Sequence, residues 1–95
     1  MLFRSAEPPV FTKKPPALVE AKLGSTLKLC CDAEGSVSWS RAQSSLNLLP
    51  AFQQNGCLTI TSIAEESAGN YICRVKNTFG FAESSTTVIT KGFVL

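Results

Sequence analysis

Three short stretches decide how this chain folds: Leu27-Lys28-Leu29-Cys30-Cys31, Val37-Ser38-Trp39-Ser40-Arg41 and Asn70-Tyr71-Ile72-Cys73-Arg74-Val75. Each alternates with a period of two. Leu27, Leu29 and Cys31 oppose Lys28 and Cys30; Val37 and Trp39 oppose Ser38 and Ser40; Tyr71, Cys73 and Val75 oppose Ile72 and Arg74. Successive side chains of a strand point to opposite faces, so each stretch predicts a strand with one face buried and the other wet.

Outward from these stretches the turns fall into place. Glu34-Gly35 reverses the chain between the first two strands, and Asn55-Gly56 is a strong hairpin signal because both positions tolerate positive φ. Cys57-Leu58-Thr59-Ile60-Thr61 follows as a strand with Leu58 and Ile60 facing in, and Ile63 closes it. Glu65-Glu66-Ser67 predicts one helical turn over the end of the sheets. Asn77-Thr78-Phe79-Gly80 predicts a tight turn into a final strand, Ala82 to Thr90, with Val88 inward. Gln43 to Pro50 is weakly patterned and predicts an irregular crossing with a short edge strand. Four of the five prolines stand as Pro8-Pro9 and Pro15-Pro16, so Val10-Phe11-Thr12 between them is an edge strand or an entry linker. About seven short strands with no amphipathic helix predict an all-β sandwich or barrel.

Composition narrows the function. The chain has 95 residues, 44% of them hydrophobic and 17% charged, which suits one globular domain. It has no histidine, and so lacks the commonest general base and metal ligand. Lys13-Lys14 and Glu65-Glu66 converge on nothing that could activate a nucleophile. Cys30 and Cys31 are adjacent and point to opposite faces, so they cannot chelate one ion, and no Cys-x-x-Cys or phosphate loop is present. No catalytic residue, metal site or cofactor is expected. A net charge of +2 with no basic stripe argues against nucleic acid. No apolar run approaches the ~18 residues of a membrane span, so direct membrane insertion is not expected.

Cys31, Trp39, Tyr71 and Cys73 occur in the order of a sandwich hallmark, a bridged cysteine pair beneath a tryptophan with a tyrosine corner. With Pro8-Pro9-Val10-Phe11, Gly24-x-x-Leu27-x-Leu29-x-Cys31, Leu58-x-Ile60, Ala68-Gly69-x-Tyr71-x-Cys73 and Asn77-x-x-Gly80, the chain resembles an immunoglobulin domain of the intermediate (I-set) type. Such domains occur in adhesion receptors and in giant muscle proteins. The resemblance implies a Greek-key sandwich of two antiparallel sheets over residues 8–91. Residues 1–7 would then be a linker or foreign to the domain, and 92–95, with the apolar Phe93-Val94-Leu95, a tail or linker. Two features depart from the pattern. The stretch from Cys31 to Trp39 is short, and Ser67 stands where an aspartate is usual, with Glu65 or Glu66 as a substitute.

The resemblance pairs Cys31, which shares a face with Leu27 and Leu29, with Cys73. The bridge closes about 42 residues and contributes about 4 kcal/mol in the chain-entropy model. Trp39, Tyr71, Leu29, Leu58 and Ile60 would form the core around it. The resemblance also sets the strand of Cys30 antiparallel to that of Cys57. If Cys31 lies opposite Gly56, Cys30 lies opposite Cys57. These two would then form a second, surface disulfide, or remain two free thiols in a reducing compartment.

The expected partner surface is the outer face carrying Ile72, Arg74, Lys76 and Phe81, with Arg74 facing Glu83 and Phe79 at the hairpin tip. The first functional reading is a non-enzymatic protein-interaction module of a larger cell-surface or extracellular adhesion or receptor protein, contacting protein partners and neighbouring domains of its own chain. The alternative is a mechanical domain of an intracellular muscle or cytoskeletal protein. A third reading is weak homodimerisation through an unpaired edge strand.

Overall fold

The computed structural model describes residues 7–92, so residues 1–6 and the apolar run at 93–95 lie outside the described residues. Among the described residues the chain forms β1 (Phe11–Lys13), β2 (Leu18–Lys22), β3 (Leu27–Cys30), β4 (Asp32–Ala33), β5 (Ser36–Arg41), β6 (Ala51–Gln54), β7 (Cys57–Ile60), β8 (Gly69–Asn77) and β9 (Gly80–Lys91). Two 3₁₀ turns, Leu46–Leu48 and Glu65–Ser67, join them. One layer has the order β2-β9-β8-β5 and the other β3-β7-β6. One residue beyond β3, β4 pairs with β1. The fold is an all-β sandwich of two layers.

Three details differ from the sequence expectation. The sheets are not wholly antiparallel, because β2 runs parallel to β9, with Val19 opposite Val88 and Ala21 opposite Thr90. Parallel neighbours need a long crossover, and here nearly the whole domain lies between them. The Gln43–Pro50 crossing holds no strand. Ser45 Oγ accepts the Asn47 amide at 3.1 Å and starts the 3₁₀ turn there, and the edge strand is β6. Third, no glutamate stands in for the missing aspartate beside the tyrosine corner. Ser67 Oγ itself accepts the Ala64 amide at 3.0 Å.

Alternation sorts the core from the surface. Leu29, Cys31, Trp39, Leu58, Ile60, Tyr71, Cys73, Val75 and Val88 are buried between the layers. Cys31 and Cys73 are bridged across them with Cα atoms 6.6 Å apart. The Gly56 carbonyl accepts both the Trp39 indole Nε1 and the Cys31 amide, each at 3.0 Å. Gly56 must be glycine there: its φ is +79°, and a Cβ would stand 2.6 Å from the Cys31 carbonyl oxygen. The short Glu34-Gly35 turn is equally tight, with the Lys76 carbonyl oxygen 2.5 Å from where a Gly35 Cβ would be.

At the other end, the Tyr71 hydroxyl donates to the Ser67 carbonyl. Arg41 donates to the carbonyls of Glu66 (2.8 Å) and Ala68 (3.0 Å), and its guanidinium lies 5.3 Å from the centre of the Tyr71 ring. Burial raises the Tyr71 phenol above its ordinary range, and the Arg41 charge pulls weakly the other way. Opposite Tyr71 on β9, the buried Thr86 hydroxyl has no hydrogen-bond partner.

Two predictions follow from these buried polar groups. An unpartnered buried hydroxyl costs about 1–3 kcal/mol, so Thr86→Val, which keeps the shape, is expected to raise the urea midpoint at unchanged slope. A lower midpoint would refute an unsatisfied hydroxyl. The unfolded chain releases its tyrosine proton near pH 10. The folded chain holds it to higher pH, so stability from Tyr71 is complete below about pH 10 and is lost as pH rises through the folded value. Tyr71→Phe is expected to cost about 1 kcal/mol at neutral pH, through the lost bond to Ser67, and to flatten the alkaline decline. Parallel alkaline slopes for the two proteins would contradict this.

Candidate interaction face

On β8 and β9 the residues facing away from the core form a ladder. Lys76 pairs with Phe81, Arg74 with Glu83 and Ile72 with Ser85. On the β5 side the same rows end in Ser36, Ser38 and Ser40. These serines are small, so the row of larger side chains is not covered from that edge.

Arg74 is the centre of the cluster. Its guanidinium stacks on Phe81 at 3.8 Å from the ring centre, and its Nη1 lies 3.9 Å from Glu83 Oε2. The Arg74 and Glu83 side chains are 47% and 48% exposed, so their ion pair is worth at most about 1 kcal/mol and mainly orients the guanidinium. The stacked ring contributes about 0.5–1 kcal/mol at such a site. Phe81 remains 51% exposed despite the contact. Ile72 is half-buried and Lys76 exposed beside them. The result is a preoriented planar cation on an exposed aromatic ring.

The structure brings Ile72, Arg74, Lys76 and Phe81 onto one face but places Phe79 elsewhere. Asn77 Oδ1 accepts the Phe79 amide at 2.8 Å and fixes the turn, and Asn77 Nδ2 donates to the Glu7 carbonyl at 3.2 Å. Phe79 thereby lines a groove of about 550 Å³ with Pro8, Pro9, Val10 and Thr12 at the end of the sandwich. Sequence reasoning missed two apolar residues of the outer face. Leu18 on β2 lies opposite Thr87, and Ile89 opposite Glu20; both are exposed and continue the same face toward the far end of β9.

The four cysteines form two bridges. Besides Cys31–Cys73, Cys30 and Cys57 are directly opposite on β3 and β7, with Cα atoms 4.0 Å apart, and are disulfide-bonded on the outer side of the other layer. Among the described residues no cluster of three or more histidine, cysteine or acidic side chains could hold a metal ion.

A family model described as "Immunoglobulin domain" matches residues 8–77. Protein turtle homolog B of Homo sapiens is 34% identical over 90 residues, covering 90% of this chain and 7% of that protein. Leucine-rich repeat, immunoglobulin-like domain and transmembrane domain-containing protein 3 of Mus musculus is 31% identical over 87 residues, covering 80% of this chain and 13% of that protein. Among solved structures, the tandem Ig repeats of Dlar match with a TM-score of 0.78 at 27% identity, covering 94% of this chain and 51% of that one. The chain thus spans a small part of the length of the two relatives.

If Arg74 is held by the ring beneath it, a double-mutant cycle of Arg74→Ala and Phe81→Ala is expected to show a coupling of about 0.5–1 kcal/mol in unfolding free energy. Strict additivity of the two changes would mean that the stacking does not order the cation.

Proposed function

The chain belongs to the immunoglobulin domain family, and on that premise we propose that it is a non-enzymatic protein-interaction module, one domain of a larger cell-surface or extracellular adhesion or receptor protein. The observation that carries the reading is the exposed Arg74–Phe81 stack, flanked by Ile72 and Lys76 on an open sheet face. Arginine and aromatic side chains dominate binding hot spots, because each offers a large, rigid contact area with a polar handle. Two features support a location outside the reducing cytoplasm. Both cysteine pairs are disulfide-bonded, which suits an oxidising compartment. One relative is a protein whose name specifies a transmembrane domain.

The mechanical alternative uses the parallel β2–β9 pairing to resist tension between the two ends of the chain. It would place four half-buried or buried cysteines in a reducing compartment, where bridges do not persist, and it assigns no role to the Arg74–Phe81 face.

The test is Phe81→Ser, first matched to the parent in circular dichroism and thermal midpoint. The two proteins are then compared in sedimentation for self-association and in pull-downs from a cell-surface fraction. Loss of a hot-spot aromatic costs about 2 kcal/mol or more, so association through this face is expected to weaken about 30-fold or more. Association that survives the change undiminished would discard the face.

A further inference from the structure

The Cys30–Cys57 bridge has no part in the interaction face and lies in a different electrostatic setting. Lys28 and Cys30 are two residues apart on β3 and share its outer face. Beside them runs a groove of about 450 Å³, lined by Lys13, Lys14, Pro15, Pro16, Lys28 and Cys30 together with apolar side chains of β2 and β3. Among the described residues no acidic side chain lines it, although Asp32 lies opposite Lys13 on β4. Among the described residues no ion pair neutralises these lysines. Three lysines, two prolines and Cys30, one half of the disulfide, thus border the groove. The two bridges also differ in access. Cys31 and Cys73 are buried at 3% and 0% exposure, whereas Cys30 and Cys57 are only half-buried.

We propose that Cys30–Cys57 is a thiol–disulfide exchange site for a small thiol of net negative charge, which docks among Lys13, Lys14 and Lys28 and attacks the sulfur of Cys30. A volume of this size suits a small molecule, and the lysines concentrate anions at the groove. In the first step the thiolate of the incoming molecule bonds to Cys30 Sγ. The Cys30–Cys57 bond breaks, and Cys57 leaves as a thiolate that takes a proton from water. The product is a mixed disulfide on Cys30. A second molecule of the same thiol attacks the outer sulfur of that mixed disulfide and releases Cys30 as a thiol. The two electrons gained by Cys30 and Cys57 come from the two small thiols, which leave as their own disulfide. The sandwich survives, because Cys31–Cys73 still joins the layers and the β3–β7 ladder keeps its backbone bonds.

The experiment treats the folded, fully oxidised chain with an anionic thiol, mercaptoethanesulfonate, or with a cationic one, cysteamine, at equal thiolate concentration. Samples are quenched by alkylation and mapped by peptide mass spectrometry. Cys30 is expected to carry the adduct and Cys57 the alkyl group, with Cys31 and Cys73 still bridged. The anionic thiol is expected to react about tenfold faster, the low end of what a charged cleft adds to an on-rate. Lys28→Gln, an exposed change that leaves the fold intact, is expected to shrink that preference. Equal rates for the two thiols, an adduct chiefly on Cys57, or opening of Cys31–Cys73 first would each overturn the proposal. A Lys28→Gln protein with the parent's full preference would also overturn it.

Discussion

The carbonyl of Gly56 is the point on which the two layers are set against each other. It lies in the β6–β7 hairpin of one layer and accepts the indole of Trp39 from the other, while also taking the amide of Cys31. Cys31 in turn is bonded to Cys73 on β8, an inner strand of the opposite layer. A hydrogen-bonded and a covalent cross-link therefore meet at one level of the core. The approach is close enough that no side chain fits at Gly56, so the residue that permits the hairpin also permits the contact. In a domain of this size, which buries only roughly two-thirds of its unfolded surface, cross-links of this kind stand in for the missing bulk of the core.

Once those inward positions are fixed, the outward ones have no freedom. Cys31 faces in, so Cys30 faces out beside Lys28; Cys73 faces in, so Ile72 and Arg74 face out; Trp39 faces in, so Ser38 and Ser40 face out. A slip of one residue in any of these strands would exchange the two sets. The Arg74–Phe81 stack and the Cys30–Cys57 bridge are thus consequences of the same core register, one on the outer face of each layer.

That dependence explains what could be read from the sequence. Where a strand alternates strictly, as β3, β5 and β8 do, the inward and outward residues follow from parity, and the outer positions of Ile72, Arg74 and Lys76 were legible before any coordinates. Cys30 opposite Cys57 needed the family resemblance as well, because no local pattern says which strands are neighbours. Parity fails in turns. Phe79 sits at a hairpin tip whose course is set by the Asn77 side chain, and so it turns toward Pro8 and Val10 rather than joining Phe81. Leu18 was missed for a different reason. Its place on the face that Ile89 shares depends on the parallel pairing of β2 with a strand at the far end of the chain, and parallel registers leave no hairpin signal.

The edges of the sheet bear on how a partner would approach. β5 ends its layer, and the backbone groups along such an edge invite pairing with another strand. At the centre of this one the invitation is withdrawn. Gln53, reaching over from β6, accepts the Trp39 amide at 3.0 Å and donates to the Trp39 carbonyl at 3.5 Å, doing with a side chain what a neighbouring strand would do. A strand added at β5 would have to displace Gln53 and leave its amide without those partners. Contact with the face meets no such obstacle, since the serines beside Arg74 leave the stack open to water. At β5 the structure obstructs the edge and leaves the neighbouring face accessible, which favours the proposed contact through Arg74 and Phe81 over strand addition at that edge.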